Sequence, residues 1–470
     1  MGVAISTWEL ANKVSSLGQL GVISGTGIAI VLTARLMQGD KNGCTRRALA
    51  HFPFPDIAQD IIDKYFVEGG IDPDKPFKRQ TMWTHNPPAD LNILTIVANF
   101  VEVWLAKEGH DNMVGINLLE KVQLPNLASL YGAMLAGVDV VIMGAGIPIQ
   151  VPGVLDALAE HKDVSYRIDV EGAESDDDFR IHLKPQELFP GVMEKVGPLK
   201  RPKFFPIISS VVLAQALMKR STGEINGFVV ELPIAGGHNA PPRTGMQELN
   251  ELGEPIYGPK DEVRLDRIAN LGLPFWMAGG YGSPEMYRQA REAGAEGVQV
   301  GTAFAYCNES GMAPHVRADV IQRLQNDDPP VVHTDPRVSP TGYPFKVVQL
   351  EGTISVQDLY QARPRICDVG FLRTAYKKEN GKVDFRCPSE PVDAYVKKGG
   401  KEADTVGRGC LCNNLGAAAG YPQHQKDGYV ELPIITSGND LPNIKQFFKP
   451  GQTGYSAQDV VEHLLTGEPS

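Results

Sequence analysis

Between residues 113 and 300 this chain repeats one theme: a short β-branched run, a turn rich in Gly or Ser, then a stretch with apolar residues three and four apart. Consecutive strands separated by helices cannot be joined as hairpins. They must run parallel, with each helix as a crossover covering the sheet. The runs at 2–5, 20–23, 113–118, 138–143, 204–209, 227–232, 274–278 and 297–300 count eight strands. The expected fold is therefore an α/β (β/α)8 TIM barrel. Helices are expected at 7–17, 125–136, 152–161 and 211–219, with prolines 125 and 152 near two of the starts.

Three stretches interrupt the rhythm. Residues 26–111 read as a helical insertion or lid. Residues 163–203 carry the acidic run Asp176-Asp177-Asp178 and read as a surface hairpin, and 239–262 reads as a long loop. The barrel is expected to occupy 1–345. Residues 346–470 lose the alternation and form a C-terminal extension that ends in a helix near 457–465.

Charge and composition narrow the partners. The formal net charge of −11 argues against a general affinity for nucleic acid. The apolar stretches 91–106 and 138–158 are broken by Asn92, Asn99, Glu102 and Asp139, so no membrane span is expected. The N-terminus shows no basic segment followed by an apolar run and a cleavage site, and the six cysteines lack a disulfide framework; both point to the cytoplasm. Cys410-Leu411-Cys412, with Cys367 and Cys387 upstream, could hold a metal. No second paired spacing supports one, so buried free thiols and no metal are expected.

Residues with chemical potential gather at predicted strand ends. Ala278-Gly279-Gly280-Tyr281-Gly282-Ser283-Pro284 places glycines after one strand and a helix start after them, leaving backbone amides free to face an anion. Val300-Gly301-Thr302 repeats the arrangement on the next unit. Either alone is equally well a tight turn, whereas two on adjacent units suit one phosphate. A dinucleotide fingerprint at Gly25-Thr26-Gly27 fails for want of its third glycine. After the strand at 227–232 comes Glu231-Leu232-Pro233-Ile234-Ala235-Gly236-Gly237-His238. There the glycines permit close approach of a flat ring, and His238 is a candidate for proton exchange or for a structural hydrogen bond.

Together with Gly115-Ile116-Asn117-Leu118 and Gly144-Ala145-Gly146, these motifs resemble the nitronate monooxygenase (2-nitropropane dioxygenase) family over residues 2–304, interrupted by the insertions. The resemblance implies a flavin enzyme using FMN. Backbone contacts from Val3 to Ser6, including Ala4 and Ile5, would pass the ring. Asn117, Glu231, Ala235, Gly236 and Gly237 would join them, while Gly279, Gly280, Gly301 and Thr302 would hold the phosphate. His238 would be the catalytic residue. The implied reaction takes a small nitronate and O2 to a carbonyl compound and nitrite, and a homo-oligomer is compatible with it. Enoyl-acyl-carrier-protein reductases and quinone reductases that consume NADH or NADPH resemble the same motifs, and a flavin-binding sensor is a third reading. The chain departs from the family pattern in replacing the usual glutamate-alanine pair before Gly-Gly-His with Pro233-Ile234-Ala235. Arg243, in the loop that follows, could attract an anionic substrate or pair with a local carboxylate.

Overall fold

The computed structural model describes residues 2–246, 248–449 and 451–467. Its centre is a curled sheet of seven parallel strands lying in sequence order: Gly21–Ser24, Val114–Leu119, Val140–Gly144, Lys203–Ile208, Phe228–Glu231, Phe275–Ala278 and Gly297–Gln299. Alternation within each strand divides the side chains between two faces. Ile23, Ile116, Leu118, Val141, Phe204, Val230 and Met277 point outward into the main core beneath the helices. Val22, Ile142, Phe205, Val229, Trp276 and Ala278 line the concave face, with Phe205 stacked on Trp276 at 4.7 Å. Asn117 and Glu231 take the concave positions of their strands by the same period.

Among the described residues the sheet has seven strands, not eight, and no strand pairing closes it. The expected first strand at 2–5 is a turn: Ala4 sits at φ 53°, which no strand residue adopts, and Ile5 N donates to Gly2 O at 3.3 Å. The segment is held beside the sheet by Ser24 N donating to Ser6 O and Gly311 N donating to Ile5 O, both at 2.9 Å. A Cβ at Gly311 would lie 2.0 Å from Ala4 O, so only glycine admits this approach. The helices Trp8–Ser16 and Ala457–Thr466 meet across the open side, where Lys13 Nζ donates to Gln458 Oε1 at 3.1 Å.

Within 26–111, the helices Ile28–Met37 and Ala89–Lys107 pack into the main core. Ala89–Lys107 is long and apolar enough to cross a membrane by length and composition, yet 78% of its most apolar window is buried in the protein. Its one deeply buried acid, Glu102, is satisfied by Arg35 Nη1 at 2.6 Å and Trp8 N at 2.8 Å, which removes the penalty of an unpaired internal charge. Val164–Arg167 and Arg180–Leu183 form an antiparallel pair.

Residues after 330 return to the sheet. Val332–Asp335 pairs antiparallel with Phe345–Val348, and Lys346 N donates to Gly237 O at 2.9 Å. Gly237 N donates to Thr436 Oγ1 at 2.7 Å, and Tyr455 Oη donates to Ala303 O at 2.6 Å. The C-terminal part of the chain therefore supplies one wall of whatever stands at the strand ends.

Candidate active site

A cavity of about 380 Å³ opens at the C-terminal ends of the last three strands and runs down the unpaired side of the sheet. That volume lies within the range of small-molecule sites. Glu231, Ala235, Gly236, Gly237, Gly279, Gly280, Gly301, Thr302 and Ile5 all line it, so the structure brings most of the sequence-derived set to one place. Ala4 does not: it is buried against Val31 and Ala419. Asn117 is buried on the concave face but outside the cavity wall.

The glycine requirements are physical. Gly279 and Gly280 adopt φ 89° and 79°, and a Cβ on Gly279 would lie 2.9 Å from Leu232 O. A Cβ on Gly236 would strike Ser437 at 2.8 Å, so this glycine lets the C-terminal segment close on the loop. Helix Pro284–Glu292 begins at the same end; Ser283 Oγ caps it by accepting from Met286 N at 3.3 Å. Among the described residues, no Lys, Arg or His lines the cavity. An anion there would rest on backbone amides, hydroxyls and the positive end of that helix.

Glu231 dominates the electrostatics. Burial pushes its carboxyl up to about 7, and no hydrogen bond offsets this among the described residues. Gln299 Oε1, on the neighbouring wall, is buried without a hydrogen-bond partner. An acid close to half-ionised at neutral pH and an orphaned amide oxygen are the polar groups a ring with N–H donors would satisfy. Asp440 opposes the fit at the phosphate end. Its Oδ1 accepts from Thr302 Oγ1 at 2.7 Å, and burial raises its pKa.

His238 stands apart from the cavity. Its Nε2 shares a 2.7 Å hydrogen bond with Ser339 Oγ, and its ring meets Phe345 edge-on at 4.9 Å. Burial first, and the charge of Lys121 next, lower its pKa to about 3, so the imidazole is neutral at physiological pH. Arg243 donates from Nη2 to Ser209 O at 2.9 Å and is turned to the loop backbone rather than to the cavity.

The chain matches no family model and no curated protein. Among solved structures it is similar to FabK from Thermotoga maritima, with 15% identity and a TM-score of 0.46 over 99% of this chain and 90% of that one. It is also similar to nitroalkane oxidase from Streptomyces ansochromogenes, with 14% identity and a TM-score of 0.46 over 99% and 93%. The enoyl reductase domain of MlnA from Bacillus amyloliquefaciens gives 11% identity and a TM-score of 0.45 over 99% and 92%.

Sequence reasoning missed Gln299, Asp440 and Thr436 in the wall and Ser339 behind His238. Gln299 was open to discovery, since it shares the concave parity of its strand with Gly297. The other three come from beyond the last sheet strand, where no local pattern announces contact.

Proposed function

We propose that this protein is an FMN-dependent oxidoreductase that oxidises alkyl nitronates with O2. The observation that carries this reading is the glycine-walled cavity at adjacent strand ends, with Glu231 and Gln299 facing into it. Gly279, Gly280, Gly301 and Thr302 would hold the phosphate. Ile5, Glu231, Ala235, Gly236, Gly237 and Gln299 would surround the ring. FMN, when bound, supplies the redox chemistry by which a nitronate and O2 become a carbonyl compound and nitrite.

The chain's own residues bind, orient and exclude water. Trp276 and Phe205 seal the concave floor. A buried, neutral His238 is a weak base, and a nitronate, already an anion, needs no base to remove its α-proton. His238, held by Ser339 outside the cavity wall, would steady the loop that carries Gly236 and Gly237. A base this weak favours nitronates over neutral nitroalkanes as substrates.

A second reading is an enoyl-thioester reductase driven by NADH or NADPH. It is favoured by the apolar lower half of the cavity, where Leu10, Val14, Met312, Val461 and Leu464 would accept an acyl chain. Oxygen uptake by the purified, flavin-loaded protein with propionate 3-nitronate tests the first reading. NADH or NADPH oxidation with an enoyl thioester or a quinone, without nitronate turnover, would replace it. Protein that takes up no FMN would sink both.

A further inference from the structure

The cavity at the strand ends has a second opening. Its lining continues past Val298 to Gln19 and Glu296, both exposed at the N-terminal rim of the sheet, and to Leu465, which is 50% exposed. Between the two openings the wall is made by Leu10, Val14, Val300, Met312, Val461 and Leu464. Among the described residues, its charged groups stand only at the ends, Glu231 and Asp440 at one and Glu296 at the other. An apolar interior between two polar mouths suits a chain that carries no charge along its length.

Width and length narrow the occupant further. The channel lies along Gly297–Gln299, whose outer edge pairs with no strand among the described residues. One absent strand leaves a slot about 4.8 Å wide, room for one extended chain but not for a branched one. From Gly301 at the strand ends back to Gly297 at the rim, the rise of a parallel strand gives about 13 Å. An extended chain advances about 3.4 Å for every three bonds, so that length takes roughly ten carbons.

Protein interiors are close-packed, and an apolar void free to collapse would do so. Here both helical walls are tied back from their far sides. In Trp8–Ser16, Trp8 N donates to Glu102 Oε1 at 2.8 Å, Asn12 Nδ2 to Glu108 O at 2.7 Å and Ser15 Oγ to Met113 O at 2.8 Å. At the start of Ala457–Thr466, Ala457 N donates to Glu309 Oε2 at 2.8 Å, and Lys449 Nζ donates to Asp459 Oδ1 at 2.6 Å. These bonds hold the space between the helices open.

We propose that the channel binds an unbranched alkyl chain of roughly ten carbons, its head at the strand ends and its tail toward the N-terminal rim. As a statement about substrate this rests on the nitronate reading, and it makes medium-chain primary nitronates the preferred ones. The chain site itself is independent of that reading.

Binding of unbranched primary alkanols from butanol to dodecanol, measured by equilibrium dialysis on the protein as purified, tests the channel without turnover. Affinity should rise about fourfold for each added CH2 and level off near decanol. Leu464→Trp, which fills the lower half, should bring the levelling forward to about hexanol. Should that variant not fold, the levelling in the parent decides alone. Affinity independent of chain length would overturn the proposal. So would an increment that continues unchanged to dodecanol, which is the behaviour of partitioning onto a surface. With the nitronates of ethane, hexane and decane as substrates, kcat/KM should climb by the same increment. A rising, levelling alkanol series with no nitronate turned over would keep the channel and remove the nitronate reading. A flat series with ethyl nitronate turned over would do the reverse.

Discussion

Thr302 Oγ1 donates a 2.7 Å hydrogen bond to Asp440 Oδ1, joining the last glycine loop of the sheet to a residue 138 positions further along the chain. Gly438 N in turn donates to Thr302 Oγ1 at 3.1 Å. The hydroxyl proposed to meet a phosphate is thus already engaged by a carboxyl, and a dianionic phosphate beside ionised Asp440 would be repelled. Asp440→Asn keeps an acceptor for Thr302 and removes the charge. FMN should then bind roughly tenfold more tightly, the scale of one partly screened charge pair. The parent's affinity should also weaken as pH rises through the raised pKa of Asp440, a dependence the variant lacks. Flavin fluorescence titrations at several pH values measure both. Equal affinities would place the phosphate elsewhere.

Glu231 gives a stability prediction with a definite sign. Its carboxyl titrates at about 7 when folded, against the ordinary 4.5 when unfolded. Below 4.5 both states hold the proton and nothing is lost. Between 4.5 and 7 the unfolded chain ionises while the folded one resists, so stability falls as pH rises, and the full cost persists above 7. Glu231→Gln should therefore raise the Tm of flavin-free protein at pH 8 and leave it unchanged near pH 4. A lowered Tm at pH 8 would mean that the carboxylate has a stabilising partner.

Much of this was legible because β/α alternation and strand parity are local. The seven strands follow from β-branched runs bounded by turns, and Gly237, Gly279 and Gly280 stand in left-handed backbone, where their sequence positions beside strand ends put them. Val3-Ala4-Ile5 has strand composition, yet the backbone turns at Ala4 and the segment packs under Gly311, a contact more than 300 residues distant that no periodicity encodes. The same limit hid Asp440 on Thr302 and Ser339 on His238. The apolar helix Ala89–Lys107 is the crossover between the first two sheet strands, but more than sixty residues separate it from Gly21–Ser24, so the short strand-to-helix spacing that marks the other units is lost there.

Gly279→Ala tests the cradle directly. Its φ of 89° disfavours any side chain, and the new Cβ would press on Leu232 O at 2.9 Å, displacing the strand-end loop that Glu231 follows into. The combined strain is of the order of 1–3 kcal/mol. The variant should fold with a lower Tm and lose FMN by dialysis under conditions where the parent keeps it. Retained flavin with unchanged affinity would exclude this loop from the phosphate site.

His238 and Ser339 should behave as one unit in turnover. The Nε2–Oγ hydrogen bond of 2.7 Å fixes the ring, and a pKa near 3 keeps it neutral across the working range. His238→Ala should keep FMN bound and, by loosening the loop beside the ring, lower nitronate turnover by up to roughly a hundredfold. Ser339→Ala frees the ring without removing it, so it should lower kcat by a smaller factor and leave flavin affinity intact. Because His238 does not titrate near neutrality, a limb near pH 7 in kcat/KM should belong to Glu231 and vanish in Glu231→Gln while surviving in Ser339→Ala. If His238→Ala turns over nitronate at the parent rate, the imidazole has a structural role, packing on Phe345 and closing the bridge that seats the C-terminal segment.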